Sequence, residues 1–232
     1  MSTTKPEGSA RERLLAAANE LFYEEGVHTV GIDRVIERAG VAKASLYSTF
    51  GSKEELVRAY LQQRAEVRQR RLSHRIAQSE DPRERILSIF DLMGELTADP
   101  KYRGCAFVNA SAEGRRDEQS KVSQLCLESR SWVRGLFVEL ARDVGAHDPE
   151  ELGRQLVVLY DGAAVAASME RDLDAAGRAK AMAAALIASA TLRREAAPPK
   201  GGAESIAAQT TADPDKAGNT QRTARKTVRA TK

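Results

Sequence analysis

The stretch Ala39-Gly40-Val41-Ala42-Lys43-Ala44-Ser45-Leu46-Tyr47-Ser48-Thr49-Phe50-Gly51-Ser52-Lys53-Glu54-Glu55-Leu56 decides how this chain folds. A short apolar stripe, Ile32, Val35, Ile36 and Ala39, ends at Gly40; after the tight Gly40-Val41-Ala42 link, a second short helix spans Lys43 to Phe50 before Gly51. Leu46 and Phe50, four positions apart, face a core, which turns Lys43, Ser45, Tyr47, Ser48 and Thr49 outward. This spacing suits a helix-turn-helix, whose first helix crosses the DNA backbone while the second lies in the major groove.

Upstream, Leu14, Leu15, Ala18, Leu21 and Phe22 form one face of a helix over Ser9 to Glu25, stopped by Gly26. Downstream, Ser52 is followed three residues later by Glu55, a capping-box arrangement that opens a helix running to Gln78. Asp81-Pro82-Arg83-Glu84 and Asp148-Pro149-Glu150-Glu151 each place an N-cap Asp, a first-turn Pro and a Glu in the order that starts a long helix. Between them the sequence predicts a loop over Asp99 to Gly104, a short helix over Phe107 to Gly114 and a long one over Glu118 to Val144. The helix from Asp148 to Glu170 leads through the turn Arg171-Asp172-Leu173-Asp174 to a last helix striped by Ala179, Met182, Ala183, Leu186, Ile187 and Ala190, with order ending near Glu195. No segment reads as strand and no repeat is visible. The expected fold is all-α, divided into a flexible start (1–8), a helix-turn-helix domain (9–55), a larger helical domain (56–195) and a disordered basic tail (196–232).

Of the 232 residues, 42% are hydrophobic and 30% charged, enough apolar matter for a substantial core. No apolar run approaches a bilayer span and the first residues lack a signal-type stretch, so a cytoplasmic protein with no membrane partner is expected. Cys105 and Cys126 are too few for a disulfide framework and too far apart for a CxxC site, so they are read as reduced. The net charge of +3 is uneven: the first third and residues 217–232 are basic, and the middle is acidic. A polyanion is therefore drawn to the two ends.

The quoted stretch, with the upstream helix and Gly26, resembles the signature of TetR-type transcriptional regulators over about residues 10 to 56. The core Leu46-Tyr47-x-x-Phe50-x-x-Lys53 is more specific than a generic helix-turn-helix. The resemblance implies an N-terminal three-helix DNA-binding domain and a C-terminal domain that dimerises and binds a ligand. It also implies a homodimeric repressor of a near-palindromic operator, released by a small-molecule inducer. Carried over by position, it makes Lys43, Ala44, Ser45, Ser48 and Thr49 the groove-facing set, with Tyr47 and Lys53 on phosphates and a backbone contact near Gly31. Gly31 and Ala42 depart from the hydroxyl residues common at those caps, and Ser48 and Thr49 from larger aromatic or His residues, so base readout should differ from better-known members. Each position has a plainer alternative: Tyr47 packing under its own helix, Lys53 and the hydroxyl residues as ordinary surface, and Arg34 on either a phosphate or Glu37.

The larger domain carries no catalytic or metal motif. His28, His74 and His147 are scattered, and the acid pairs Asp117-Glu118 and Glu150-Glu151 sit where helix starts explain them. An enzyme, a metal and a cofactor are not expected. An apolar cavity would draw on Phe90, Met93, Tyr102, Phe107, Trp132 and Tyr160, with Phe137 and Met169 also possible and Asn109 as polar anchor, although aromatic and Met residues at helical spacing also serve as plain core. The stretch Arg103-Gly104-Cys105-Ala106-Phe107-Val108-Asn109-Ala110 resembles one found in a branch of the same family. Cys105 and Cys126 are either oxidant sensors or inert packing. The small residues of the helices at 148–170 and 175–195 suit close packing, which the resemblance assigns to the homodimer and which packing within one chain would equally satisfy. The tail, with Arg222, Arg225, Lys226, Arg229 and Lys232, either adds attraction to DNA or aids solubility. The rival function is a helical small-molecule-binding or adaptor protein without specific operator binding. Inducer, operator, target genes and sign of control are not written in the sequence.

Overall fold

In the computed structural model the chain is described over residues 8–113 and 120–192. Among these residues there are helices and no strand: α1 (Ala10–Glu25), α2 (Ile32–Ala39), α3 (Lys43–Phe50), α4 (Lys53–Ile76), α5 (Pro82–Thr97), α6 (Ala106–Glu113), α7 (Lys121–Asp143), α8 (Pro149–Met169) and α9 (Ala175–Thr191). The all-α reading holds. None of the described helices is long and apolar enough to cross a membrane.

The helix starts follow the capping logic of the sequence. Glu12 N–H donates to the Ser9 hydroxyl at 3.2 Å and Ser9 N–H to the Glu12 carboxylate at 2.8 Å, a complete capping box. Asp81 accepts from Arg83 N–H and Asp148 from Glu151 N–H, each at 2.9 Å. At α4 only half of the expected box forms. Ser52 accepts from Glu55 N–H at 3.2 Å, but the Glu55 carboxylate turns to Arg58 at 2.8 Å and Lys121 at 2.6 Å. Two cations hold a carboxylate better than one neutral N–H does. α4 also ends at Ile76, two residues before the expected Gln78, and α9 at Thr191 with Leu192 extended. The expected α7 start at Glu118, the pair Asp117-Glu118, Gly114, the first seven residues and the tail from 193 lie outside the described residues.

Two apolar cores organise the body. One gathers Leu14, Ala18, Phe22, Val30, Val35 and Leu46 from α1–α3 with Leu56, Tyr60 and Leu61 from the first half of α4. Phe107 and Ala110 of α6 and Cys126 of α7 close it from the other side. The second gathers Ile86, Ile89 and Phe90 of α5, Phe137 of α7, Leu152 and Leu156 of α8 and Ile187 of α9, with Leu72 from the far end of α4. The expected boundary at 55/56 thus falls at the start of a helix whose two halves serve different cores.

The small residues of the last two helices are used largely inside the chain. Ala163, Ala164 and Ala167 of α8 and Ala175, Ala176, Ala179 and Ala183 of α9 are buried. Gly153 shows how close the helices come: a Cβ there would lie 2.5 Å from the Val138 Cγ2 and 3.0 Å from the Val138 backbone nitrogen of α7. The outward face of α8 instead carries Val158, Val165 and Met169 with Gly162 between them, and α9 presents Met182.

Leu46 is the single fully buried residue of α3 and fixes the helix on α1 and α4. Leu46→Ala should therefore lower unfolding free energy by about 2–5 kcal/mol in urea denaturation. A loss below about 1 kcal/mol would mean that α3 is held by something else.

Candidate functional site

The second helix of the turn, α3, stands on Leu46 and shows its other face to solvent. Lys43, Ala44, Tyr47 and Ser48 are exposed, with Tyr47 at 47%, whereas Ser45 and Thr49 are half-buried. Thr49 lies three residues beyond Leu46 and flanks the core, so its hydroxyl donates to the Ser45 carbonyl at 2.6 Å; Ser48 donates to the same carbonyl at 3.1 Å. With both protons spent on the helix, these side chains offer lone pairs and, for Thr49, a methyl group. The fully outward orientation expected for Ser45 and Thr49 is thus only partly realised. Phe50 is half-buried and carries the Arg11 guanidinium 5.6 Å from its ring centre.

The turn itself is braced from α1. Gly40 adopts the left-handed conformation (φ 61°, ψ 42°) that ends α2, and Arg13 donates to the Gly40 carbonyl at 3.1 Å and the Ala39 carbonyl at 3.4 Å. Neither Gly31, the N-cap of α2, nor Ala42, the N-cap of α3, makes a side-chain cap bond. The first N–H groups of both helices thus lack side-chain acceptors, an arrangement that favours anions. Lys43 donates to Asp33 at 2.9 Å, and this bond raises its ammonium above the ordinary value. The pair is exposed, so a phosphate can replace the carboxylate at small cost. Arg34 forms a two-point ion pair with Glu25, not with Glu37; Glu25 closes α1 and reaches across the turn to it. Lys53 is half-buried at the start of α4, and burial lowers its ammonium against the opposing pull of Glu113.

A cavity of about 1060 Å³ lies among α4, α5, α6, α7 and α8. Met93, Tyr102, Phe107, Asn109 and Tyr160 line it, and Asn109 donates to the Arg103 carbonyl at 2.9 Å. Phe90 and Trp132 do not. Phe90 packs against Phe137 with ring centres 6.2 Å apart, and Trp132 is half-buried against the same core; periodicity marks both as inward without distinguishing core from cavity wall. Phe137 is likewise core and Met169 is exposed. Cys105 and Cys126 both face the cavity, and burial pushes the Cys126 thiol up to about 11, which keeps it protonated and a poor nucleophile at neutral pH.

Three contacts tie this region to the helix-turn-helix. Tyr23 of α1 accepts from Arg103 N–H at 3.0 Å and donates to the Gly104 carbonyl at 3.1 Å. Glu113, at the end of α6, accepts from His28 N–H at 2.9 Å in the α1–α2 link. Lys121 of α7 meets Glu55 of α4. The sequence reading missed these and also Arg68, which lines the cavity. Its one signal was the spacing of Arg64, Arg68, Arg71 and Arg75, which places four cations along one side of α4.

Comparison with known proteins bears on the family and the fold. Residues 14–60 match the family model described as bacterial regulatory proteins, tetR family. The crystal structure of a TetR-family transcriptional regulator from Streptomyces coelicolor is 32% identical, with a TM-score of 0.75, over 78% of this chain and 96% of the other. The regulator CifR, solved as a cysteine mutant with 26-base-pair double-strand operator DNA, is 25% identical with a TM-score of 0.65, over 79% and 98% of the two chains. The transcriptional activator FasR of Mycolicibacterium smegmatis is 47% identical over 57 residues, 25% of this chain and 26% of its own. The chain spans only about a quarter of the length of that curated relative. Likeness at 32% identity over nearly the whole of the Streptomyces coelicolor regulator, together with the matched helix-turn-helix, means that the chain belongs to the TetR family of transcriptional regulators.

Proposed function

We propose that this protein is a homodimeric repressor that binds a near-palindromic operator through α3 and leaves it when a small-molecule inducer occupies the cavity. The observation that carries the reading is the α3 face, Lys43, Ala44, Tyr47 and Ser48, held rigidly by buried Leu46 and open to solvent. Lys43 and Ala44 begin the helix, where a recognition helix meets base edges; Tyr47, Lys53 and the α2 start at Gly31 reach the flanking phosphates. Ser45, Ser48 and Thr49 contribute acceptor or methyl contacts, and Arg34 joins them by exchanging Glu25 for a phosphate. The CifR complex supports DNA as the partner by analogy.

One helix-turn-helix reads only a few base pairs, so two copies are needed for a selective site. Val158, Gly162, Val165 and Met169 form an exposed, mostly apolar stripe on α8 that suits a second copy. An inducer acts by binding better to the form whose recognition helices are wrongly spaced, which draws the population off DNA. The bonds from Tyr23 to the α5–α6 link and from Glu113 to His28 give that change a mechanical route to α1 and the start of α2.

DNA recovered with the purified protein and sequenced should yield a two-fold motif. At physiological salt that site should bind about a thousandfold or more tighter than random DNA. Equal affinity for both would favour the adaptor reading. Tyr47→Ala should weaken operator binding on the order of tenfold with the melting temperature little changed, since the ring is exposed; unchanged affinity would remove Tyr47 from the interface. Val158→Asp should convert the dimer to monomer in sedimentation and lower operator affinity with it, whereas a persistent dimer would place the interface elsewhere.

A further inference from the structure

The cavity is lined by apolar Ile89, Leu92, Met93, Val133 and Val157 and by charged groups, of which Arg64, Arg68, Arg71, Lys101 and Arg130 outnumber Asp99 and Asp161. Most of its charged groups already have partners. Arg130 is paired with Asp161. Arg64 donates to the Asn19 side chain at 3.1 Å and lies 4.0 Å from the Tyr23 ring centre. Asp99 accepts from Lys101 N–H at 2.9 Å within its own turn.

Arg68 differs from these. Its Nη2 donates to the Ser129 carbonyl at 3.1 Å and to the Ser129 hydroxyl, and its guanidinium lies 4.6 Å from the Phe107 ring centre. Its Nε is buried with no hydrogen-bond partner, and no carboxylate among the described residues pairs with it. A buried N–H left open on a cation is costly, and a fork held on one edge by Ser129 and on its face by Phe107 keeps its orientation. Tyr160 lines the same cavity, and burial pushes its hydroxyl up to about 12, so it remains a proton donor. A planar oxyanion is the partner that satisfies a guanidinium edge and a neighbouring phenol together.

We infer that the cavity takes an amphipathic carboxylate, its acid group on Arg68 with Tyr160 as second donor and its apolar body along Ile89, Met93 and Val133. This rests on the cavity being the effector site, and it narrows the effector to one chemical class. The remaining basic groups at the rim, Arg71 and Lys101, favour the same sign of charge.

The test is calorimetric titration of the full-length protein, without DNA, with dodecanoate, dodecan-1-ol and dodecylammonium, which share a tail and differ in head-group charge. Dodecanoate should bind about tenfold or more tighter than the alcohol, and the amine weakest. Arg68→Gln should bring acid and alcohol to within about threefold of each other, and Arg68→Lys should keep part of the preference. An alcohol that binds as well as the acid, an amine that binds best, a preference that survives Arg68→Gln, or no dodecanoate binding at millimolar concentration would each overturn the inference. The wild-type series needs no variant to fold. Operator release is read separately: a protein that prefers dodecanoate yet keeps its DNA supports the ligand class and refutes the inducer mechanism, and one that binds its operator but shows no head-group preference refutes the ligand class alone.

Discussion

Helix α4 is shared by two apolar cores, and this constrains every other feature of the body. Leu56, Val57, Tyr60, Leu61 and Ala65 are buried with α1–α3, and Leu72 is buried with α5 and α7–α9. From Leu56 to Leu72 the rod runs about 24 Å at the α-helical rise. Ala65 and Leu72 are two turns apart, and in that interval Val67, Arg68 and Arg71 face the cavity, with Arg64 just before it. The cavity exists because the cores do not merge there. A rigid rod anchored by close-packed residues at both ends cannot be displaced at its middle without shifting one end, and one end carries the neighbours of α3.

Besides the apolar contact of Phe107, Ala110 and Cys126 with the first core, polar bonds tie the cavity to the helix-turn-helix. Glu113 to His28, Tyr23 to the Gly104 loop and Lys121 to Glu55 are partly or wholly exposed bonds. Contacts of this kind contribute at most about 1 kcal/mol each in water. Weak ties suit a switch better than strong ones: a change of two orders in an equilibrium needs only about 3 kcal/mol, so a few such bonds exchanged between two forms would suffice.

Much of the helical framework was legible from caps and stops. Asp81-Pro82, Asp148-Pro149, Gly26, Gly40 and Gly51 each mark an observed helix end, because their chemistry acts within one turn. Reading failed where a partner comes from elsewhere in the fold. Arg34 takes Glu25 across a turn instead of Glu37 along its own helix, and Glu55 leaves its box for Arg58 and Lys121. The candidate cavity shows the same limit. Met93, Tyr102, Phe107 and Tyr160 belong to it while Phe90 and Trp132 pack as core, since a 3.6-residue period reports that a side chain points inward and not whether anything fills the space before it. The alanines of α8 and α9 likewise reveal close approach without saying to which chain, and here most of them meet their own.

The placement of Arg68 joins these strands. An effector that merely filled the apolar part of the cavity would meet much the same surface in either form of the protein, and equal affinity for two forms shifts nothing however tight the binding. A charge placed between the two anchors of α4 is different. Its present partners, Ser129 on α7 and Phe107 on α6, belong to the elements that reach the helix-turn-helix through Lys121 and Glu113. On the reading proposed above, an oxyanion competes with Ser129 for the guanidinium and draws on the stem of α4 at its least packed turn. On that reading the free energy for moving α3 comes from satisfying the unpartnered Arg68 N–H, and its size is set by head-group chemistry more than by how well a tail fills the space.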